Sequence, residues 1–313
     1  MITVRCSFRE FKLVPTEECV AIFRYQLAIV AKRYGMLIHE FVVMSNHFHI
    51  VLTDPGGAMP DFTRDLNSGV ARALNALARD RENVFSTERP NFVRCVGDEA
   101  EIGESIADRC VYTLVNPVAA GLVRRAKEWP GATSWAMEYG RPVSVKRPAI
   151  KFFGKKRPKE VELVLTRPSG FDESMSDAEV RAEIRARVRE KEVEVLEEHR
   201  KKGQPFVGVA AVRAQSRLQR PATPHGKDID DVTLTIVARN KWAAIAAKQQ
   251  VKEFTNRYRE ALKRWKAGEH DVVFPYGTWR MARYFGVQVE DAWGSGIPRP
   301  PTPPPSGGTA AAA

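Results

Sequence analysis

Two of the six histidines stand two residues apart in Asn46-His47-Phe48-His49, within an apolar stretch from Phe41 to Thr53 that is broken only at Ser45-Asn46. On a strand, successive side chains point to opposite faces, so His47 and His49 emerge on one side and Phe48 on the other. Two imidazoles carried by a rigid strand can bind one divalent metal ion, given a third ligand from elsewhere. The pair alone is unspecific, because two strand histidines satisfied by their neighbours give the same pattern. His39 falls on the preceding strand and reads as a surface or hydrogen-bonded structural residue. Asn46 reads as a residue that orients the turn before His47.

A second stretch carries chemistry: Val111-Tyr112-Thr113-Leu114-Val115-Asn116-Pro117-Val118-Ala119-Ala120-Gly121. Tyr112 and Asn116 are four residues apart and share a face if the helix reaches that far. Taken singly, Tyr112 fits a core aromatic whose hydroxyl finds one partner. Asn116, likewise, fits a helix-terminal residue chosen for turn chemistry.

The elements that must position these groups follow from spacing and punctuation. Residues 2–14 alternate as a first strand. Thr16 with Glu17-Glu18 starts a helix that buries Val20, Phe23, Leu27 and Val30 and closes at Gly35. Residues 36–44 and 47–53 form a hairpin about Ser45-Asn46. Phe62, Leu66, Val70 and Leu74 mark a helix over 61–78, residues 91–96 a fourth strand, and residues 102–115 a helix ended by Asn116-Pro117. The order β-α-β-β-α-β-α predicts an α+β fold: an antiparallel sheet with helices on one side, of the ferredoxin-like (RRM-like) type. Trp129-Pro130-Gly131 reads as a tail folding back, and the first boundary falls near residue 140.

Beyond it, residues 141–159 read as a linker or surface arm rich in cations: Lys146, Arg147, Lys151, Lys155, Lys156, Arg157 and Lys159. Arg213, Arg217 and Arg220, with Lys227, form a second basic group. Charged helical patterns cover 176–202, which reads as a solvated helix, and 232–267. Lys241-Trp242 and Lys263-Arg264-Trp265-Lys266 interleave cations with aromatics as single-strand binders do, although both tryptophans also suit a helical core. Residues 141–297 are thus expected to be a basic, mostly helical accessory region that contacts DNA, and the Pro-rich residues 298–313 a disordered tail.

Composition sets the class. A hydrophobic fraction of 43% in 313 residues supports a sizeable core. No apolar run approaches the ~20 residues of a membrane span, and the first residues lack a signal-peptide pattern. Four scattered cysteines with no C-x-x-C pair argue against a disulfide framework or a structural zinc site. A cytoplasmic protein without a membrane partner is expected. The net charge of +11 is uneven: residues 1–140 hold 16 Lys+Arg against 17 Asp+Glu, and residues 141–313 hold 33 against 21. Such an excess suits a polyanionic partner.

Together, Asn46-His47-Phe48-His49 and Tyr112 through Gly121 resemble the HUH single-tyrosine transposases, particularly the REP-associated tyrosine transposase branch. Glu128-Trp129-Pro130 and Ser134 also look like that pattern, and the motifs cover residues 1–140 in the expected order. The resemblance implies a metal site of His47, His49 and Asn116 for Mg²⁺ or Mn²⁺, with Tyr112 as the nucleophile. It implies cleavage and rejoining of single-stranded DNA through a 5′-phosphotyrosine, on hairpin-forming ends. A repressor that retains the catalytic core and a metal-dependent nuclease of relaxase type are the alternatives. Relatives act as monomers or as dimers that share active sites, and the choice is open here.

Overall fold

The computed structural model describes residues 1–86, 90–222 and 234–290. These form two compact units, residues 1–237 and residues from 238 onward. The first unit is α+β. In chain order it contains β1 (Ile2–Arg5), α1 (Glu17–Tyr34), β2 (Leu37–Val43), β3 (His47–Thr53), α2 (Met59–Ala78), β4 (Asn91–Cys95), α3 (Glu99–Ala119), β5 (Val143–Lys146), β6 (Glu160–Leu163), α4 (Asp177–Lys201), α5 (Val209–Arg213) and β7 (Thr235–Val237). The central sheet has the order β2-β3-β1-β4-β7. All pairings are antiparallel except β4–β7, which is parallel.

Local signals set several boundaries where the spacing places them. The Thr16 side chain accepts from Cys19 N–H at 3.1 Å to cap α1, and Gly35 closes it at φ +63°, a conformation that costs glycine little. The Asp54 carboxylate takes the free N–H groups of Ala58 and Met59, so α2 begins at Met59, two residues before expectation. β1 is far shorter than the expected 2–14. The strand breaks after Arg5 because Phe8 and Arg9 both adopt left-handed backbone, at φ +53° and +58°.

Two apolar layers flank the sheet. On one face α1 and α2 bury Phe23, Leu27, Phe62, Leu66 and Val70 against Ile2, Val4, Phe41, Phe48 and Ile50. On the other, α3 and α4 bury Cys110, Leu114, Val118, Ile184 and Val188 against Val42, Met44 and Val51. Helices therefore cover both faces, not one. β2 is buried from Ile38 to Val43, His39 and Glu40 included, as a strand covered on both sides is.

α3 also corrects the expected stop at Asn116-Pro117. Asp98 and Glu101 form a reciprocal capping box at its start, and the helix continues through Pro117 to Ala119. An internal proline removes one helical hydrogen bond, at a cost of ~3 kcal/mol. Here burial of Leu114, Val115, Pro117 and Val118 offsets that loss. The continuation places Tyr112 and Asn116 on one helical face.

Residues 141–237 belong to the first compact unit. The β5–β6 hairpin packs on α1, with Val145, Phe153 and Leu163 in the α1–α2 core. α4 lies along α3 and is not merely solvated: Arg181 is fully buried and ion-paired with Glu40 of β2. The same carboxylate accepts from Tyr139 Oη at 2.6 Å, and Arg181 donates to the carbonyls of Ser134 and Trp135 at 2.7 and 3.0 Å. Trp129 Nε1 donates to Val43 O at 2.9 Å, so the 129–134 segment folds back along the β2 edge as the sequence suggests. That cover leaves no open edge there for a foreign strand.

The second unit contains α6 (Lys241–Lys266), β8 (Val273–Phe274), α7 (Trp279–Phe285) and β9 (Gln288–Val289), packed about Phe274, Met281 and Val287. Trp265 joins that core, as expected. Trp242 does not, and is 74% exposed. The expected disordered tail at 298–313, and Lys227, lie outside the described residues. Among the described residues no helix is long and apolar enough to cross a membrane.

Candidate functional site

β3 alternates as its sequence requires. Phe48 and Ile50 enter the α1–α2 core, and His47 and His49 face the layer of α3. The imidazole ring centroids are 4.8 Å apart at 84°. β1 pairs Thr3 with His49 and Arg5 with His47, placing both polar side chains of β1 on the histidine face.

Each imidazole has one nitrogen held by a neighbour. The Asn46 amide nitrogen donates to the Arg9 carbonyl at 3.3 Å, which turns its oxygen toward His47 Nδ1 at 2.7 Å. An amide oxygen only accepts, so His47 Nδ1 carries the proton and Nε2 keeps its lone pair. His49 Nδ1 lies 2.7 Å from Thr3 Oγ1, and its Nε2 is buried with no hydrogen-bond partner among the described residues. A buried nitrogen without a partner is costly in a dry interior and calls for an explanation. One nitrogen oriented by an outer group and the other left open is how metal-ligating histidines are held.

α3 brings the remaining residues to this face. The Asn116 amide lies beside the His47 ring. The Tyr112 ring stands edge-on to His49, with centroids 5.5 Å apart, and is 45% exposed. One turn earlier, the Arg109 guanidinium lies 5.5 Å over the Tyr112 ring. His47, His49, Tyr112 and Asn116, far apart in sequence, thus form one cluster.

Electrostatics keep the imidazoles neutral. Burial and the Arg5 charge hold the His47 pKa at about 4, although the Asn116 amide beside it favours its charged form. Burial, with His47 and Arg5 beside it, holds His49 well below the ordinary value. Neutral imidazole is the form that binds metal. Among the described residues no three His, Cys, Asp or Glu side chains converge as a metal cage. A bound divalent ion would therefore rest on two imidazoles and an amide oxygen. That donor set fits a cation that keeps open positions for water or phosphate, and the imidazoles favour Mn²⁺ over Mg²⁺.

The expected DNA-contacting residues separate into two groups. Lys146, Lys151, Lys155, Lys156 and Lys159 are exposed on the arm that packs against α1, on the face away from His47 and His49. Arg147 and Arg157 are structural in that arm. Arg147 donates to the carbonyls of Gly154 and Arg157 at 3.0 and 2.6 Å, and Arg157 lies over the rings of Phe152 and Phe153. The second group is nearer the cluster. Gln215 accepts from Ser45 at 2.6 Å in the turn before His47, which brings the 209–220 segment with Arg213, Arg217 and Arg220 alongside. Arg220 pairs with Glu10 at 3.1 Å.

Thr3, Arg5 and Arg109 were not singled out by sequence reasoning. The alternation Ile2-Thr3-Val4-Arg5 was a usable signal for the first two, once β1 is paired with β3. His39 is structural, as expected: its Nδ1 donates to the Thr166 carbonyl at 2.8 Å and its Nε2 accepts from Thr53 Oγ1 at 2.9 Å. Burial holds its pKa at about 4. The unfolded chain takes up this proton near 6.5, so it binds more protons than the fold between the two values. The His39 contribution is intact above pH ~6.5 and falls by roughly 3 kcal/mol as pH drops to ~4. Urea titrations at stepped pH should show this loss, with a shallower slope for His39→Gln; an unchanged slope would contradict the assignment.

No family model, curated protein or solved structure matches this chain, so the residues and their geometry carry the functional reading.

Proposed function

We propose that the chain is a DNA transposase of the HUH single-tyrosine kind, which cleaves and rejoins single-stranded DNA through a 5′-phosphotyrosine. The observation that carries this reading is the buried Nε2 of His49, without a partner among the described residues, on an imidazole whose ring centroid is 5.5 Å from that of Tyr112. The sheet order β4-β1-β3-β2, with α1 and α2 on one face, is read as the ferredoxin-like (RRM-like) arrangement. The basic excess of the later residues, including the mainly helical region after residue 140, is read as a DNA-contacting accessory surface.

In this reading His47, His49 and Asn116 hold Mg²⁺ or Mn²⁺. The ion supplies charge neutralisation and polarisation of the scissile phosphate. Thr3 and Asn46 hold the two imidazoles in the tautomer and orientation that ligation needs. Arg5 and Arg109 add positive charge around the phosphate, and burial together with Arg5 keeps the imidazoles unprotonated. The Tyr112 oxygen attacks phosphorus, the bond from phosphorus to the 3′ oxygen breaks, and a 5′-phosphotyrosine forms. The phenolic proton passes to water at the exposed side of the ring, and the leaving 3′ oxygen takes up a proton as a free hydroxyl. The covalent link conserves the phosphodiester energy for rejoining, which hydrolysis would discard.

His47→Ala or His49→Ala is expected to abolish cleavage of a labelled single-stranded DNA hairpin in Mn²⁺ or Mg²⁺, and EDTA to do the same for the unaltered protein. Full cleavage in excess EDTA contradicts the metal role. Free fragments without a protein adduct would indicate a nuclease, and a mobility shift without cleavage a binding protein or repressor.

A further inference from the structure

Between β1 and α1 the chain makes a short 3-10 turn, Ser7–Arg9, whose backbone is strained. Phe8 sits at φ +53°, ψ +19°, and Arg9 follows at φ +58°. For a bulky aromatic this left-handed conformation is an outlier, and such strain clusters where a side chain must be presented to a ligand. What the turn presents is the Phe8 ring, 71% exposed. It is not loose: the Arg220 guanidinium lies 5.4 Å over the ring and is anchored by its ion pair to Glu10.

The turn is tied directly to the candidate site. Cys6 N–H donates to the Asn46 carbonyl at 2.7 Å, and the Asn46 side chain donates to the Arg9 carbonyl while orienting His47. Burying the ring inside the protein would have been the ordinary way to use a phenylalanine. An exposed aromatic ring beneath the Arg220 guanidinium suits a ligand that is both flat and anionic.

We propose that Phe8 is the stacking platform for one unpaired nucleobase of the DNA strand whose phosphate lies at the His47–His49 site. The proposal rests on the single-strand reading above and adds a subsite to it. Arg220 brackets the ring and faces the backbone of the stacked nucleotide. A duplex cannot offer an unstacked base, so the subsite favours single-stranded over double-stranded DNA.

The test is fluorescence-anisotropy binding of a DNA hairpin with a mixed-sequence single-stranded extension, with one abasic nucleotide moved stepwise along the extension. For the unaltered protein, one position should lose about 10-fold in affinity. Phe8→Ala should lose a similar factor on intact DNA and nothing further at that position, since both changes remove the same contact. Phe8→Tyr should retain binding. Phe8→Gly, which relieves the backbone strain, should melt at the same or a higher temperature yet bind as weakly as Phe8→Ala. Additive losses, or unchanged affinity of Phe8→Ala and Phe8→Gly, overturn the stacking role while leaving the single-strand reading intact. If the unaltered protein binds no single-stranded DNA, that reading fails and the subsite falls with it.

Discussion

Replacing Tyr112 by Phe is expected to abolish formation of a covalent protein–DNA adduct, with no adduct detectable above background, while affinity for the same single-stranded DNA changes less than about 2-fold. The change removes one oxygen and keeps the ring. The ring makes the contacts that fix this part of α3: it meets His49 in a T-shaped arrangement and its face meets Arg109. Because nearly half of the side chain is exposed, the hydroxyl is not needed to satisfy the core. A structural tyrosine would give the opposite pattern, in which Phe costs a little stability and leaves chemistry untouched. Denaturing gels after incubation with end-labelled DNA, alongside anisotropy on the same preparations, separate the two. An oligonucleotide that still becomes attached to Tyr112→Phe would rule out this nucleophile.

The second large effect concerns the scaffold. Arg181→Ala is expected to destabilise the first unit by about 3–5 kcal/mol, the usual cost of leaving one partner of a buried ion pair alone. Both side chains of the Arg181–Glu40 pair are wholly inaccessible to water. Removing the guanidinium also strips hydrogen bonds from the carbonyls of Ser134 and Trp135. Glu40→Leu combined with Arg181→Met should recover much of the loss, since an apolar pair of similar volume removes the orphaned charge. The midpoint of urea unfolding reads both. A loss below about 1 kcal/mol for Arg181→Ala would mean that α4 is not locked to β2 through this pair.

That ion pair also shows where sequence reading stops. The bounds of α1 were legible because Thr16 and Gly35 act locally. The shared face of His47 and His49 was legible because strand alternation is geometric. α4 carries Glu, Lys and Arg in the mixture of an ordinary solvated helix, and nothing local distinguishes Arg181 from Arg185 or Arg189. Its burial depends on a carboxylate 141 residues earlier. The helix through Pro117 was illegible for a related reason: proline's local preference is to end a helix, and packing of α3 on the sheet overrides it. The parallel pairing of β7 with β4 likewise rests on a contact between distant segments.

The site was half legible. Tyr112 and Asn116 at helical spacing and the two histidines at strand spacing could be read, but not that α3 crosses the same face of the sheet. Thr3 and Asn46 as orienting partners require the β1–β3 register and the turn geometry. The arm of Lys146 to Lys159 is the instructive difference. Its charge suggested a DNA-contacting surface without saying on which side, and Phe153 and Val145 anchor it to α1 across the sheet from the histidines. Charge composition says that a polyanion suits the surface, not which face it meets.

The central claim is that the Tyr112 oxygen and the two imidazoles meet at one phosphate. It is tested most directly by incubating the full chain with single-stranded hairpin DNA and Mn²⁺, digesting the product with protease and nuclease, and identifying the modified peptide by mass spectrometry. The expected result is a nucleotide joined through its 5′ phosphate to Tyr112, absent when His49→Ala replaces the unaltered protein. A nucleotide on any other residue, or an undiminished Tyr112 adduct in His49→Ala, would contradict it.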